Sequence, residues 1–471
     1  MKALVWLRSD LRIDDNPAFL NACEAYDEVS CIYIFSRKTW YKNNNSNVKE
    51  HFVLENLAKL KNELQQLNID LCSFEVDTFD DSIELIKEYI AINAFKAIFW
   101  NNEFGYDENH RDQKLIAYLQ KQDINFHQYH DQVIFSPGSL RTGQDKPFSV
   151  FTPFKKKWIE NFSLDLFDFN KAPKKKNKFA LVNPKDKKNI SFNQTHQVNM
   201  EIWPAGEVEA RKRLELFIEK SITLYSKNRN HPFLDATSRL SPYLALGILS
   251  PRRCIYEAIK ENNFELDAGN NGICKWVDEI VWREFYRNIM HNFPHVSKNK
   301  PFNLSTETIV WRNNPDEIDA WKNGKTGFPF IDAAMLQLIQ EGWMHNRLRM
   351  VVAMFFTKNL LHDWRIGEAH FMDNLIDGDF SSNNGGWQWS ASTGTDAAPY
   401  FRIFNPVTQS QNFDPDGEFI RKFIPSLNSV DNKNIHLPKS DLLNNIDYHN
   451  PIVDLKSSRI RAIDAFKSNR V

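Results

Sequence analysis

The sequence predicts an α/β domain on a parallel, Rossmann-like sheet, followed by an all-α domain. Two observations carry this. Short β-rich runs alternate with helical periods through the first 130 or so residues, and from Ala205 onward the periodicity is almost all helical. A third observation marks the seam: between about residues 163 and 203 the chain turns rich in Lys, Asn and Pro. The divisions implied are an α/β domain over 1–135, a long connection over 136–204 and a helical domain over 205–471.

The strands come first. β-Branched and aromatic runs place them at Leu4–Leu7, Val29–Phe35, Leu71–Val76, Ala97–Trp100 and Asn125–Tyr129. Amphipathic periods between them, clearest over Val48–Leu67 and Asp107–Gln122, supply the crossover helices. Such a sheet receives ligands at the carboxyl ends of its strands. Neither G-x-G-x-x-G nor G-x-x-x-x-G-K-[ST] is present, so neither common phosphate loop is there. The stretch NKAPKKKNKFALVNPKDKKNISFNQTHQ reads as a solvated connection, although its lysines are also able to meet nucleic acid. Further on, Ser241-Pro242 and Ser250-Pro251 each put an N-cap serine before a proline at the first helical position. Helices follow over Trp276–Asn292, Pro329–Gly342 and Trp343–Leu361.

Composition bounds the function. At 471 residues, with 42% apolar and 13% aromatic content, the chain supports sizeable cores. A formal net charge of -1 excludes a whole-protein basic footprint, so nucleic-acid binding needs a local patch. Five cysteines with no C-x-x-C argue against a disulfide framework or structural zinc site and suit a reducing compartment. The start, MKALVWLRSD, has too short an apolar run for a signal peptide, and no run approaches the roughly 18 apolar residues of a membrane span. The expectation is a soluble, cytoplasmic monomer.

The most unusual stretch is DGDFSSNNGGWQWSASTGTDAAPYFRIFNP, Asp377 to Pro406. It packs acids, amides, glycines and tryptophans with neither a helical nor a strand period. That mix reads as a binding site held in irregular backbone. Its D-x-D start is not a calcium loop, because the sixth position is Ser382 rather than Gly and the twelfth is Gln388 rather than Glu. Of the 13 tryptophans, 8 fall between Trp276 and Trp389, which points to stacking or electronic roles beside core packing.

Three further segments carry chemistry. In TSRLSP, the hydroxyls of Thr237, Ser238 and Ser241 precede a helix and Arg239 adds charge; this favours phosphate and equally fits a capped helix without a ligand. In WVDEIVWREFYR, Glu279 and Trp282 share a helical face, with Trp276 and Arg283 three and four residues from Glu279. This is either a pocket wall or a surface Glu279–Arg283 pair. In GWMHNRLRM, Asn346 and Met350 share a face while Arg347 and Arg349 project elsewhere, able to reach phosphate; Met350 also fits as core filler. No Ser/His/Asp arrangement and no metal-ligand cluster stands out.

The runs WLRSDLRIDDNPA, FTPFKKKW, TSRLSPYLALG, WREFYR, GWMHNRLRM, DWRIGE and Asp377–Pro406 are highly specific together. On them the chain resembles the photolyase/cryptochrome flavoprotein family over nearly its whole length, closest to the class I cyclobutane pyrimidine dimer photolyases. The resemblance implies an antenna domain and a helical domain holding FAD in a U shape, active as FADH−. Tyr225, Thr237, Ser238, Arg239, Leu240 and Ser241 would hold the flavin, chiefly its diphosphate, with Trp276 also in the cofactor set. Asp377, Gly378 and Asp379 would hold the ring, with Asn346 and Arg349 beside it. Asn383 would lie at N5, where many plant cryptochromes have Asp.

The same resemblance implies a lesion pocket lined by Glu279, Trp282, Asn346, Met350 and Trp387 that takes a flipped-out dinucleotide. Glu279, Asn383, Met350 and Trp282 form its catalytic set. Arg229, Arg347, Arg402 and Gln409, with Arg283 and Tyr286, would contact DNA. Trp387, Trp364 and Trp311 match an electron-transfer chain that reduces FAD under light. The family's 6-4 members carry His where this chain has Asn346 and Met350, and the roughly 65 residues after Pro406 resemble the photolyase terminus. For the antenna, Glu108 and Lys298 match folate contacts, with Asn43 where His is expected and Asp107 where Asn is expected. That implies 5,10-methenyltetrahydrofolate, with a deazaflavin as the alternative.

The expected function is light-driven repair of cyclobutane pyrimidine dimers in UV-damaged DNA, double- or single-stranded. The competing readings are a blue-light sensor using the same flavin and a single-strand or RNA-binding flavoprotein without repair. The Asp377–Pro406 run is expected to serve flavin and lesion without touching the antenna domain.

Overall fold

The computed structural model describes residues 1–167, 169, 171–185, 188–190, 198–438 and 448–468. Strands β1 (Lys2–Leu7), β2 (Glu28–Ser36), β3 (Asp70–Val76), β4 (Ala97–Asn101) and β5 (Asn125–Tyr129) are parallel, and a short β6 (Lys188–Asn189) pairs antiparallel with β3. The spatial order is β5-β4-β1-β2-β3-β6. Every strand expected from the sequence is present, within two residues at each end. Central β1 is apolar on both faces because helices cover both sides: Ala3, Leu4 and Val5 are fully buried.

The crossover helices form where the periodicity places them, at Asn47–Gln66 and Tyr106–Lys121. Between them, Phe79–Asn93 starts with a reciprocal Thr78–Asp81 capping box.

The connection departs from a purely solvated linker. Asn93 exchanges two hydrogen bonds with the Val182 backbone, at 2.8 and 2.9 Å. Phe179 packs edge-on against Phe95, β6 extends the sheet, and Trp203 is fully buried against Trp343. A Lys-rich composition hid these few anchors. Residues 186–187 and 191–197 of that stretch lie outside those described.

Among the described residues the chain beyond Ala205 contains helices and no strand. Ser250 caps the Pro251–Glu261 helix as expected, its hydroxyl accepting from Arg253 N at 3.0 Å. Ser241 does not cap. Arg239 is left-handed (φ 48°), which starts the Ser241–Ala245 helix one residue early with Leu240 as N-cap. The freed Ser241 hydroxyl accepts from Trp343 Nε1 at 3.1 Å. The Trp343–Leu361 period resolves into a helix over Asn346–Met354, capped by His345, and a π turn over Phe355–Asn359.

The Asp377–Pro406 run is not irregular throughout. Phe380–Ala391 is a helix of 12 residues. Its period was invisible because polar Ser381, Asn384 and Gln388 are buried alongside Trp387 and Ala391, leaving no apolar stripe against a polar one. Gly385 lets the Tyr286 ring approach so closely that a Cβ there would lie 2.2 Å from it.

Buried ionic contacts lock the two halves. Asp131, fully buried, accepts from Arg12 and, at 2.7 Å, from Arg252, and Asp15 accepts from Arg252 and Ser250. Glu284, on the Asn271–Asn292 helix, accepts from the backbone N–H groups of Ile134 and Phe135 and from Trp158 Nε1.

Candidate flavin and lesion site

Three helices converge on one region: Asn271–Asn292, Asn346–Met354 and Phe380–Ala391. Their packing is cooperative, the last lying against both others. The turn before the last helix carries Asp377, Gly378 and Asp379. Asp377 Oδ2 accepts from Arg349 Nη2 at 2.7 Å, while its Oδ1 is buried with no protein partner. Asp379 accepts from Arg287 at 3.1 Å and Ser382 at 2.6 Å, and Arg287 with Arg283 holds its carboxyl down to about 2 against the penalty of burial.

Asn383 sits one turn on. Its amide donates to the Glu368 carbonyl at 2.9 Å and to the Glu368 carboxyl at 3.2 Å. That fixes the amide plane and leaves its oxygen to face the other way. Burial pushes the Glu368 carboxyl up to about 7, with Asn383 pulling it back. Glu368 is a site residue the sequence offered within DWRIGE, without a signal for its role.

The polar segment Thr237–Ser241 is tied to the Trp343 region, through Ser241 and Arg239. Thr237, Ser238 and Arg239 are half-buried, Leu240 is buried and Ser241 is exposed. The positive φ of Arg239 is unfavourable for a residue with a Cβ by about 1–2 kcal/mol, the kind of strain that collects at ligand sites. Its guanidinium stands over Trp343 at 5.0 Å. His345 is buried, and burial with Arg239, Arg347 and Arg349 lowers its imidazole to about 3. It is therefore neutral, and its Nδ1 accepts from Arg347 N as the helix cap.

The donor set fits a flavin dinucleotide: an unpartnered buried carboxylate oxygen on Asp377, an aligned amide on Asn383, and hydroxyls with Arg239 on a strained turn. Tyr225 and Trp276 are buried and both pack on Phe217.

Glu279 pairs with Arg229 and not with Arg283. Burial pushes its carboxyl up while Arg229 pulls it down. Trp282 lies face to face on Phe151, 3.7 Å between ring centres and 7° between planes. Phe151 is buried and Trp282 half-buried, so one indole face is backed and the other is presented outward. Asn346 is exposed and Met350 half-buried on the neighbouring helix.

Several expected roles change. Trp387 is 2% exposed and packs on Phe356, Phe371 and Trp321, away from Trp282, so it lines no lesion pocket and meets no DNA. Gly367 makes room for it, since a Cβ there would lie 2.1 Å from the indole. Trp389, two residues along the helix and half-buried, was missed; a 200° turn of helix puts it on the opposite face. Arg283 is committed to the carbonyls of Gln132 and Leu244, and burial with Arg287 lowers it to about 9, so it is interdomain glue and not a DNA contact. Tyr286 is pressed on Gly385 and tilted against Trp282, which makes it packing behind the site. Arg347 donates to Asn230 at 2.8 Å and stands over Phe413. Arg402 is exposed, and Gln409 keeps a buried Oε1 without a partner.

A cavity of about 540 Å³ opens at the carboxyl ends of β1, β2 and β4, where the strand order reverses. All four expected antenna residues line it: Asn43, Asp107, Glu108 and Lys298. Lys298 Nζ stands 3.7 Å from the Tyr106 ring centre, and burial with Glu103 pushes Glu108 up to about 7. The cavity continues between the domains to Glu368, Gly378, Asp379 and Ser381. The Asp377–Pro406 run therefore does reach the antenna domain, a contact between distant segments that no local pattern reveals.

Trp364 is fully buried and Trp311 half-buried, with Trp387 inside the same apolar cluster.

A parallel sheet region joined to a helical region, with a cavity at the carboxyl ends of the strands, is the architecture of a flavoprotein. Residues 3–176 match the DNA photolyase family and residues 276–468 the FAD binding domain of DNA photolyase. A deoxyribodipyrimidine photo-lyase of Salmonella typhimurium is 40% identical over 99% of this chain and 98% of its own. Among solved structures, a bacterial class III photolyase from Agrobacterium tumefaciens superposes with a TM-score of 0.86 at 31% identity, covering 100% of this chain and 98% of that one. An archaeal photolyase from Sulfolobus tokodaii with two FAD molecules superposes with a TM-score of 0.81 at 26% identity, covering 99% and 100%. The chain belongs to the DNA photolyase family.

Proposed function

We propose that this protein repairs cyclobutane pyrimidine dimers in UV-damaged DNA under light, with FAD as the working cofactor. The observation that carries it is the convergence of three helices, Phe380–Ala391 packing on both Asn271–Asn292 and Asn346–Met354, with Arg287 of the second paired to Asp379 at the start of the first. FAD, when bound and reduced, supplies the photoexcited electron that opens the cyclobutane ring. The protein residues bind, orient and exclude water. Asp377 and Asp379 receive N–H or hydroxyl hydrogens of the cofactor, Asn383 presents an amide at the ring edge, and the Thr237–Ser241 turn takes the diphosphate.

On the lesion side, Trp282 and Trp389 offer apolar faces and Glu279, with Asn346, reads the polar edges of a flipped dinucleotide. Arg229, Arg347 and Arg402 supply the local basic patch that the neutral net charge requires. The interdomain cavity takes the antenna, with Glu108 facing a folate's pterin edge and Lys298 its tail; the changes at Asn43 and Asp107 keep a deazaflavin as the alternative. Trp387, Trp364 and Trp311 carry electrons inward.

The deciding experiment incubates purified protein with DNA holding either cyclobutane dimers or 6-4 products, in the dark and under blue light. Light-dependent loss of cyclobutane dimers alone is expected. Loss of neither, with flavin photochemistry intact, would favour a light sensor.

A further inference from the structure

The Asp377–Asp379 turn is held from the α/β domain as well as from within. Ser46, fully buried, accepts from Lys49 N at 3.0 Å as cap of the Asn47–Gln66 helix and donates its hydroxyl to Leu375 O at 2.8 Å. In that helix's first turn, Lys49 Nζ donates to Gly378 O at 2.6 Å and Asn45 Oδ1 at 3.0 Å, and stands 5.1 Å from the Trp40 ring centre. Trp40, Asn45, Lys49 and Gly378 all line the interdomain cavity. One side chain thus reaches from the antenna wall to the middle of the expected flavin turn.

The neighbouring arginines have carboxylate partners of their own. Arg349 is matched by Asp377 and Arg287 by Asp379. Among the described residues no carboxylate lies within ion-pair distance of Lys49. Burial lowers its pKa, with Asp379, Glu103, Asp377 and Glu108 acting from a distance to keep it charged. Arg283, the other cation felt by Asp379, is spent on the Gln132 and Leu244 carbonyls.

We propose that Lys49 is a positioning residue for the flavin: it fixes the Gly378 carbonyl and leaves an unmatched positive charge that favours the reduced, anionic cofactor. This rests on the reading that Asp377, Gly378 and Asp379 face the flavin ring. Lys49 is half-buried at the cavity wall, where its charge acts more strongly than in bulk water, so a single lysine is enough to move a redox equilibrium. Nothing in the local sequence marks it, because Lys49 belongs to the other domain and sits in the first turn of an ordinary amphipathic helix.

The test is a redox titration of full-length wild type, K49R, K49Q and K49M, with flavin content read by absorbance. Gln retains a donor for Gly378 without the charge, and Met retains neither. At a fixed poise, K49Q and K49M shift the oxidised-to-reduced ratio about tenfold toward oxidised, about 30 mV for a two-electron couple, while K49R stays at the wild-type potential. FAD-loaded K49Q at the wild-type potential overturns the proposal. If Gln and Met lose FAD and Arg keeps it, the charge is again what the site requires; if Arg loses it too, Lys49 merely fills space and the proposal falls. Wild-type protein that takes up no FAD would instead refute the placement of the flavin.

Discussion

Trp387 and Trp389 stand two residues apart on the Phe380–Ala391 helix and face opposite sides of it. Trp387 is enclosed by Phe356, Phe371 and Trp321, while Trp389 is half-buried on the other face. With the roles proposed above, Trp387 serves electron supply and Trp389 lesion contact, so the two should separate by mutation. Trp387→Phe, like Trp311→Phe at the outer end, should abolish photoreduction of FAD yet spare repair by chemically reduced enzyme. Trp389→Ala should leave photoreduction intact and weaken binding of dimer-containing DNA by about 1–3 kcal/mol, roughly fivefold to 150-fold, as expected for one lost stacking face. Flavin absorbance under blue light and a DNA-binding titration read the two effects. Loss of both functions in either variant would show that the faces are not independent.

The Arg229–Glu279 pair makes a second prediction. Both side chains are about a third exposed, so the pair itself adds little to stability. Its value lies in pointing Glu279, which burial pushes toward protonation, at whatever enters beside Trp282. Glu279→Ala should lower lesion affinity by about 1.5–3 kcal/mol, the scale of one hydrogen bond to a charged group, with FAD content and melting temperature close to wild type. If the flavin is lost instead, Glu279 is a structural residue of the cofactor wall.

How much of this was legible in the sequence varies with the range of the contact. The parallel sheet was readable because each strand is a local apolar run, and Ser250 because capping is settled within four residues. Asp377, Asn383, Glu279 and Trp282 were reachable through their motifs. Other site features depend on the fold. The Phe380–Ala391 helix lacks an apolar stripe because it packs on both sides. Ser241 misses its cap because Arg239 turns left-handed one position earlier. Lys49, Glu368, Phe151 and Arg287 act across 15 to more than 300 residues, as in Lys49–Gly378 with a separation of 329. No periodicity encodes such pairs.

His345 gives a pH prediction with a definite sign. Its imidazole is lowered to about 3 in the folded protein, below its ordinary value of 6.5. The unfolded chain therefore binds the extra proton first, and stability falls as pH drops from about 6.5 toward 3, by on the order of 1.4 kcal/mol per unit within that window. Protonating Nδ1 also removes the acceptor for Arg347 N and repels Arg239 beside the proposed diphosphate turn. His345→Asn keeps a capping acceptor without the titration. Its stability should fall less steeply than wild type between pH 6.5 and 5 in thermal melts that follow flavin release. Parallel curves for the two proteins would refute the assignment. His362 and His370, each lowered to about 4 by burial, contribute in both proteins and cancel in the comparison.

The strongest stability effect should come from a residue outside the site. Asp131 is fully buried between Arg12 and Arg252, and the two arginines hold its carboxyl below the ordinary range against a large penalty of burial. Arg252 also holds Asp15, so the network joins the loop after β1, the loop after β5 and the Pro251–Glu261 helix. Removing one partner of such a cluster leaves buried charge without compensation, which typically costs about 3–5 kcal/mol. Asp131→Ala should therefore destabilise the protein by that amount, far more than Glu279→Ala, although Asp131 lies outside both proposed chromophore sites. Because this network orients the α/β domain on the helical one, the interdomain cavity should open with it. Energy transfer from the antenna should fall before FAD is released, which fluorescence excitation spectra collected along a urea titration will show; simultaneous loss of both would mean that the cavity and the flavin site unfold as one unit.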